Sequence, residues 1–78
     1  MKITHETFQK IRVVYNCSMR EFGDLLNISA GYVNDIEKER KPLTVPVKAR
    51  LIDELQLNHT KLNRILEIYQ EFKEGRIT

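Results

Sequence analysis

The chain holds one cysteine, three glycines and two prolines in 78 residues, and no apolar run near the length of a signal sequence or a membrane span. A lone cysteine has no partner for an internal disulfide, which suits a reducing compartment. With no leader or membrane segment to expect either, the sequence reads as cytoplasmic. Charge of one sign is also missing: 13 basic residues stand against 11 acidic ones for a net of +2, which permits a nucleic-acid partner without demanding one. The scarcity of glycine and proline removes the commonest breakers of regular structure. Apolar residues at 41% and charged residues at 31% then describe a folded, helix-rich chain rather than a disordered one. At this length a single domain over residues 1–78 is expected, with a small core, a partner subunit to finish its burial and no large active-site cleft.

Catalytic chemistry is missing as well. The sequence contains no acid–base pair, nucleophile–base set, metal-ligand cluster or phosphate-cradling glycine loop, so neither enzyme activity nor a cofactor nor a metal is expected. Cys17 has only His5 and His59 as potential co-ligands, and neither stands at ligand spacing from it. It reads as a buried structural thiol, and both histidines read as surface residues near helix starts.

What is present is helical periodicity. Thr4 is a good N-cap ahead of Phe8, Ile11, Val14 and Tyr15, which recur at three- and four-residue steps and predict a first helix over 4–15. Ser18 with Glu21 forms a capping-box signature opening a second helix that carries Phe22, Leu25 and Leu26 inward. That helix ends near Asn27, a residue tolerant of left-handed backbone. Ser29 caps a third helix over about 30–38 with a narrow apolar face of Val33 and Ile36. After a charged connection closed by Pro42, a fourth helix runs over 45–55 with Pro46 in its first turn. Asn58 caps a fifth over 59–74 with an amphipathic stripe of Leu62, Ile65, Leu66, Tyr69 and Phe72, ending at Gly75. The fold class is therefore all-α with five helices, a core over 4–57 and a C-terminal helix within 58–75.

The junction between the second and third helices has residue types that a sharp corner needs. Gly23 allows two helices to approach closely, Asn27 turns the chain with positive φ, and Ile28 plugs the angle between them. From Phe8 to Leu55 the chain resembles the lambda-repressor-like family, also called the Xre or Cro/C1 helix-turn-helix family. The resemblance lies in Ile11-Arg12, Ser18-Met19-Arg20-Glu21-Phe22-Gly23, Leu26-Asn27-Ile28-Ser29, Val33, Ile36-Glu37, Lys41-Pro42 and the closing Leu55.

The resemblance implies a compact domain that places its third helix in the major groove of double-stranded DNA. It makes Ala30, Gly31, Tyr32, Asn34 and Asp35 the candidate base readers, with Asn34 suited to a bidentate contact with adenine and Ala30 to a thymine methyl. Ser18, Met19, Arg20 and Ser29 at helix starts, with Lys38, Arg40 and Lys41 after the third helix, become candidate phosphate contacts. Arg12 and Glu37 occupy the places of an ion pair that joins the first helix to the end of the third, an architectural role.

The chain departs from the pattern at three places, one of them Ala30-Gly31, a poor reading head at the start of the third helix. Met19 replaces a phosphate-binding glutamine. Lys38-Glu39 replaces an Asn-Gly after Glu37, which leaves the third helix free to run longer. Along the fifth helix, Leu62, Ile65, Leu66, Ile68, Tyr69 and Phe72 have two readings: packing on the core, or forming a two-fold homodimer interface. The implied activity is transcriptional regulation, with repression by a bacterial or phage protein favoured. The rival partners are another regulatory protein, gripped by a helix-turn-helix turned interaction module, or a toxin neutralised by an antitoxin.

Overall fold

The computed structural model describes residues 1–75; the last three positions of the domain expected over 1–78 lie outside the described residues. Five helices and no strand occur among them: α1 His5–Val14, α2 Met19–Leu26, α3 Ala30–Glu37, α4 Val45–Leu55 and α5 His59–Lys73. None of these helices is long and apolar enough to cross a membrane.

Helix starts follow from local hydrogen-bond chemistry. The first N–H groups of a helix have no carbonyl partner within it, and a short oxygen-bearing side chain just ahead can accept from one of them. Thr4 accepts from the Thr7 N–H at 3.1 Å, Ser29 from Tyr32 at 3.0 Å and Asn58 from Lys61 at 2.8 Å. At α2 the exchange is reciprocal: Ser18 Oγ accepts from the Glu21 N–H at 3.0 Å, and Glu21 Oε1 accepts from the Ser18 N–H at 2.8 Å. Only α4 starts without such a bond, its Thr44 hydroxyl making none while Pro46 sits in the first turn.

The helix ends share one device. After α1, α2, α3 and α4 the chain turns through Asn16, Asn27, Glu39 and Gln56, all with φ between 52° and 60°. In each case the next N–H reaches back to a carbonyl in the helix's last turn, at 3.1 Å for Cys17, 2.8 Å for Ile28, 2.8 Å for Arg40 and 2.9 Å for Leu57. Three helix ends therefore differ from the sequence reading by one residue. Tyr15 is the exposed cap of α1 rather than part of it, Glu74 caps α5, and α3 stops at Glu37 because Glu39 adopts the left-handed conformation that a glycine would adopt freely.

The core is built from Phe8 and Ile11 of α1, Phe22 and Leu26 of α2, Val33 and Ile36 of α3, Val47 and Leu51 of α4, and Leu62 and Ile65 of α5. Phe8 and Phe22 meet edge to face with ring centroids 5.0 Å apart. Connecting segments contribute Ile3, Leu43 and Leu57. Leu25 lies against this core half-buried rather than inside it, as does Cys17. Burial, together with the nearby Glu21 carboxylate, pushes the Cys17 thiol upward. In this arrangement α2 packs on α3 and α4, while α1 packs on α5 and α3.

Candidate nucleic-acid interface

Asn27, Ile28 and Ser29 join α2 to α3, and backbone sterics shape the joint. A Cβ added to Gly23 would stand 2.5 Å from the Ile28 carbonyl oxygen and 3.2 Å from the Ser29 carbonyl carbon. Only a residue without a side chain lets the turn fold back onto α2 this closely. Ile28 packs half-buried against the core, filling the angle as its place in the turn predicts.

From this joint α3 leaves with two kinds of surface. Val33 and Ile36 are wholly buried. Ala30 and Gly31 are exposed, Asn34 is half-buried and Lys38 is exposed. A spacing of four residues puts Ala30 and Asn34 along one outer line of the helix, with Gly31 beside them and Lys38 at the cap that follows. Around Gly31 there is open space, the nearest atom to an added Cβ being Ser29 Oγ at 3.9 Å.

The C-terminal end of α3 is anchored to α1. Arg12 Nη2 donates to Glu37 Oε1 at 3.0 Å and its Nε to Oε2 at 2.5 Å, a two-pronged pairing; Nη1 donates to the Cys17 carbonyl at 3.0 Å. The Arg12 and Glu37 side chains are 15% and 4% exposed, so the pair lies largely out of water. Hydrogen bonding to Glu37 raises the Arg12 pKa above its ordinary value, against the opposing effect of burial. The ion pair expected from the resemblance is thus present, with its bidentate geometry favourable for a guanidinium and a carboxylate.

The remaining candidates differ in how far the fold engages their side chains. Arg20, Lys38, Arg40 and Lys41 are exposed. Lys41 Nζ lies 5.9 Å from the centre of the Tyr32 ring, and that ring in turn packs half-buried against the core. Ser18 and Ser29 are engaged as helix caps through their hydroxyl lone pairs. Met19 packs on the core, as an apolar thioether should. Asp35 is drawn into the exit turn of α3: its carboxylate lies 3.6 Å from Arg40, and its carbonyl accepts from the Arg40 and Lys41 N–H groups. Among the five candidate readers, Tyr32 and Asp35 thus also make contacts within the fold.

One contact of this region has no sequence signal. His5 is half-buried, and its Nδ1 stands 2.8 Å from the Ile36 carbonyl oxygen, 31 residues away. A carbonyl only accepts, so Nδ1 carries the proton. His59, by contrast, is exposed as expected.

The stripe on α5 separates along its length. Leu62 at 7% and Ile65 at 4% exposure belong to the core. Leu66 packs partly against the same core, and Ile68 and Tyr69 are half-buried, with Lys10 of α1 lying over the Tyr69 ring at 5.2 Å. Phe72 at 42% exposure is the member of the stripe left to solvent.

Among the described residues no cavity opens, and no group of His, Cys, Asp or Glu side chains gathers in a way that would hold a metal. No family model matches the chain, and no curated protein or solved structure shows significant similarity to it.

Proposed function

We propose that the chain is a sequence-specific DNA-binding transcription regulator of the helix-turn-helix kind, a repressor of bacterial or phage origin that acts as a dimer on an operator. The observation that carries this reading is the division of α3: its inner side anchors wholly buried Val33 and Ile36, while Ala30, Gly31 and Asn34 are left on its outer side. A short helix held rigidly by a tight corner and presenting small and amide side chains outward suits insertion into a major groove. Exposed Arg20 precedes this helix and exposed Lys38, Arg40 and Lys41 follow it, so phosphate contacts would flank base contacts. Within this reading Asn34 reads a base, Ala30 and Gly31 admit close approach, and Tyr32 supports Lys41. Phe72, with Ile68 and Tyr69 beside it, supplies the apolar part of a contact between two copies.

The experiment is duplex binding at several salt concentrations for two variants. Asn34→Ala is expected to lower discrimination at one base position, an effect of about 1–3 kcal/mol, while leaving binding to random DNA intact. Lys41→Ala is expected to weaken all sequences alike and to reduce the salt slope by about one. Equal losses on specific and random DNA for both variants would overturn the assignment of Asn34 as a reader.

A second reading is favoured by charge. Between Ser18 and Lys41, Arg20, Lys38, Arg40 and Lys41 face Glu21, Asp24, Asp35, Glu37 and Glu39, so this segment carries no basic excess. Glu37 is neutralised by Arg12 and Asp35 lies near Arg40, which still leaves basic and acidic groups about evenly matched. A surface of that balance suits a protein partner, a regulator or a toxin, better than a polyanion. Binding of duplex DNA that is weak and indifferent to sequence would favour this reading.

A further inference from the structure

We propose that His5 is a positioning residue that locks the exit turn of α3 and, through it, the setting of the Lys38–Lys41 segment against the outer side of that helix. His5 and Arg12 lie seven residues apart on α1, two helical turns, and therefore on one side of it. Both reach the last turn of α3: Arg12 takes the Glu37 carboxylate, and His5 Nδ1 takes the Ile36 carbonyl at 2.8 Å. That carbonyl already accepts from the Glu39 N–H at 3.1 Å, and Glu39 is the residue held at φ 60°. A non-glycine residue in that conformation persists only where its surroundings over-determine it. The turn it forms carries the Arg40 and Lys41 N–H groups onto the Asp35 carbonyl at 2.8 and 3.3 Å. The imidazole thus holds the one carbonyl on which the strained residue closes, and the cationic segment follows from that closure.

His5 is itself fixed at both ends. It is the first residue of α1, directly after the Thr4 cap, so its backbone is set by the helix start. Its Nδ1–H is the less common tautomer of a free neutral imidazole, and the carbonyl acceptor selects it here. The contact between His5 and α3 stands on geometry alone. Only its consequence for DNA rests on the reading above.

The test uses the whole chain with two variants chosen to separate donor from shape. Asn places an amide N–H at the position of Nδ1, whereas Leu fills similar space without a donor. In the wild type, nitrogen NMR of the His5 ring at mildly alkaline pH should show the proton on Nδ1; a proton on Nε2 overturns the proposal. Amide hydrogen exchange at Glu39, Arg40 and Lys41, normalised to exchange in the core, should rise roughly tenfold in His5→Leu and stay near wild type in His5→Asn. Equal exchange in the two variants overturns it, and if His5→Leu does not fold, the ring tautomer and the Asn variant still decide. In duplex binding, His5→Leu should lose roughly severalfold in the ratio of specific to random affinity, with His5→Asn restoring it. If the wild type binds no duplex while tautomer and exchange behave as stated, the DNA reading falls and the lock stands. A specificity ratio unchanged in His5→Leu, despite faster exchange, would refute the positioning role.

Discussion

The two glycines of the α2–α3 region sit in opposite circumstances. Gly23, on the inside of the corner, has a backbone carbonyl 2.5 Å from where its Cβ would be, so the fold itself demands glycine. Gly31, on the outside, has nothing closer than 3.9 Å, although glycine weakens a helix. Inside the corner, Gly23, Ile28 and Ser29 each meet a steric, packing or hydrogen-bond requirement of the fold. Outside it, Ala30, Gly31 and Asn34 satisfy no such requirement. Function therefore belongs to the outer residues, whose identity the packing leaves open.

The contrast is broken most severely by disturbing the inner side. Glu37→Ala leaves the guanidinium of Arg12 largely buried without its carboxylate, and unfolding stability in denaturant should fall by about 3 kcal/mol. Gly23→Ala should cost about 2 kcal/mol, because the clash is with backbone and cannot relax by a side-chain rotation, while the gain in helix propensity offsets only part of it. Ser18→Ala removes one half of the capping box and should cost about 1 kcal/mol.

The capping box also makes a pH prediction. The Ser18 N–H, with the Ser18 hydroxyl, holds the Glu21 carboxyl below its ordinary range. A group whose folded pKa is depressed stabilises the fold above its unfolded value and loses that contribution as pH falls through the folded value. Acid titration of thermal stability should therefore show a loss below the ordinary carboxylate range that is smaller in Glu21→Gln than in the wild type.

On the outer side the signs reverse. Gly31→Ala should stabilise the protein by up to about 0.5–1 kcal/mol and at the same time weaken duplex binding, a combination that chemical denaturation and a binding titration would reveal together. A variant that loses stability would show that the fold, not a partner, needs the glycine. Phe72→Ser should change stability by less than about 0.5 kcal/mol and raise the concentration needed for dimer formation in sedimentation, since this ring is already exposed.

How much of this was legible in the sequence follows the range of the interaction concerned. Caps at Thr4, Ser18 with Glu21, Ser29 and Asn58 act over three residues and could be read directly, as could the left-handed Asn27 and the close approach at Gly23. Glu39 and Gln56 turn in the same way as Asn27, but their long side chains carry no local preference for it, so nothing in their identity announces the turn. On α5 the periodicity identified one apolar side, yet it does not say how far the core reaches along it, and Leu62 and Ile65 proved to be interior. The pairing of Arg12 with Glu37 came from the pattern the chain resembles, and the contact of His5 with the Ile36 carbonyl had no signal because a backbone acceptor has no residue identity. Among the site residues, the packing of Met19 on the core had no local signal, because whether a side chain turns inward is settled by neighbours distant in sequence.

DNA reading by the outer side of α3 is open to a direct test. The most direct measurement is selection of bound sequences from a random duplex pool at near-physiological salt, carried out with the wild type and with Asn34→Ala. An enriched palindrome with half-sites about one helical turn apart is expected, with loss of preference at one position per half-site in the variant. No enrichment by a folded wild-type protein, or an identical motif from both proteins, would contradict it.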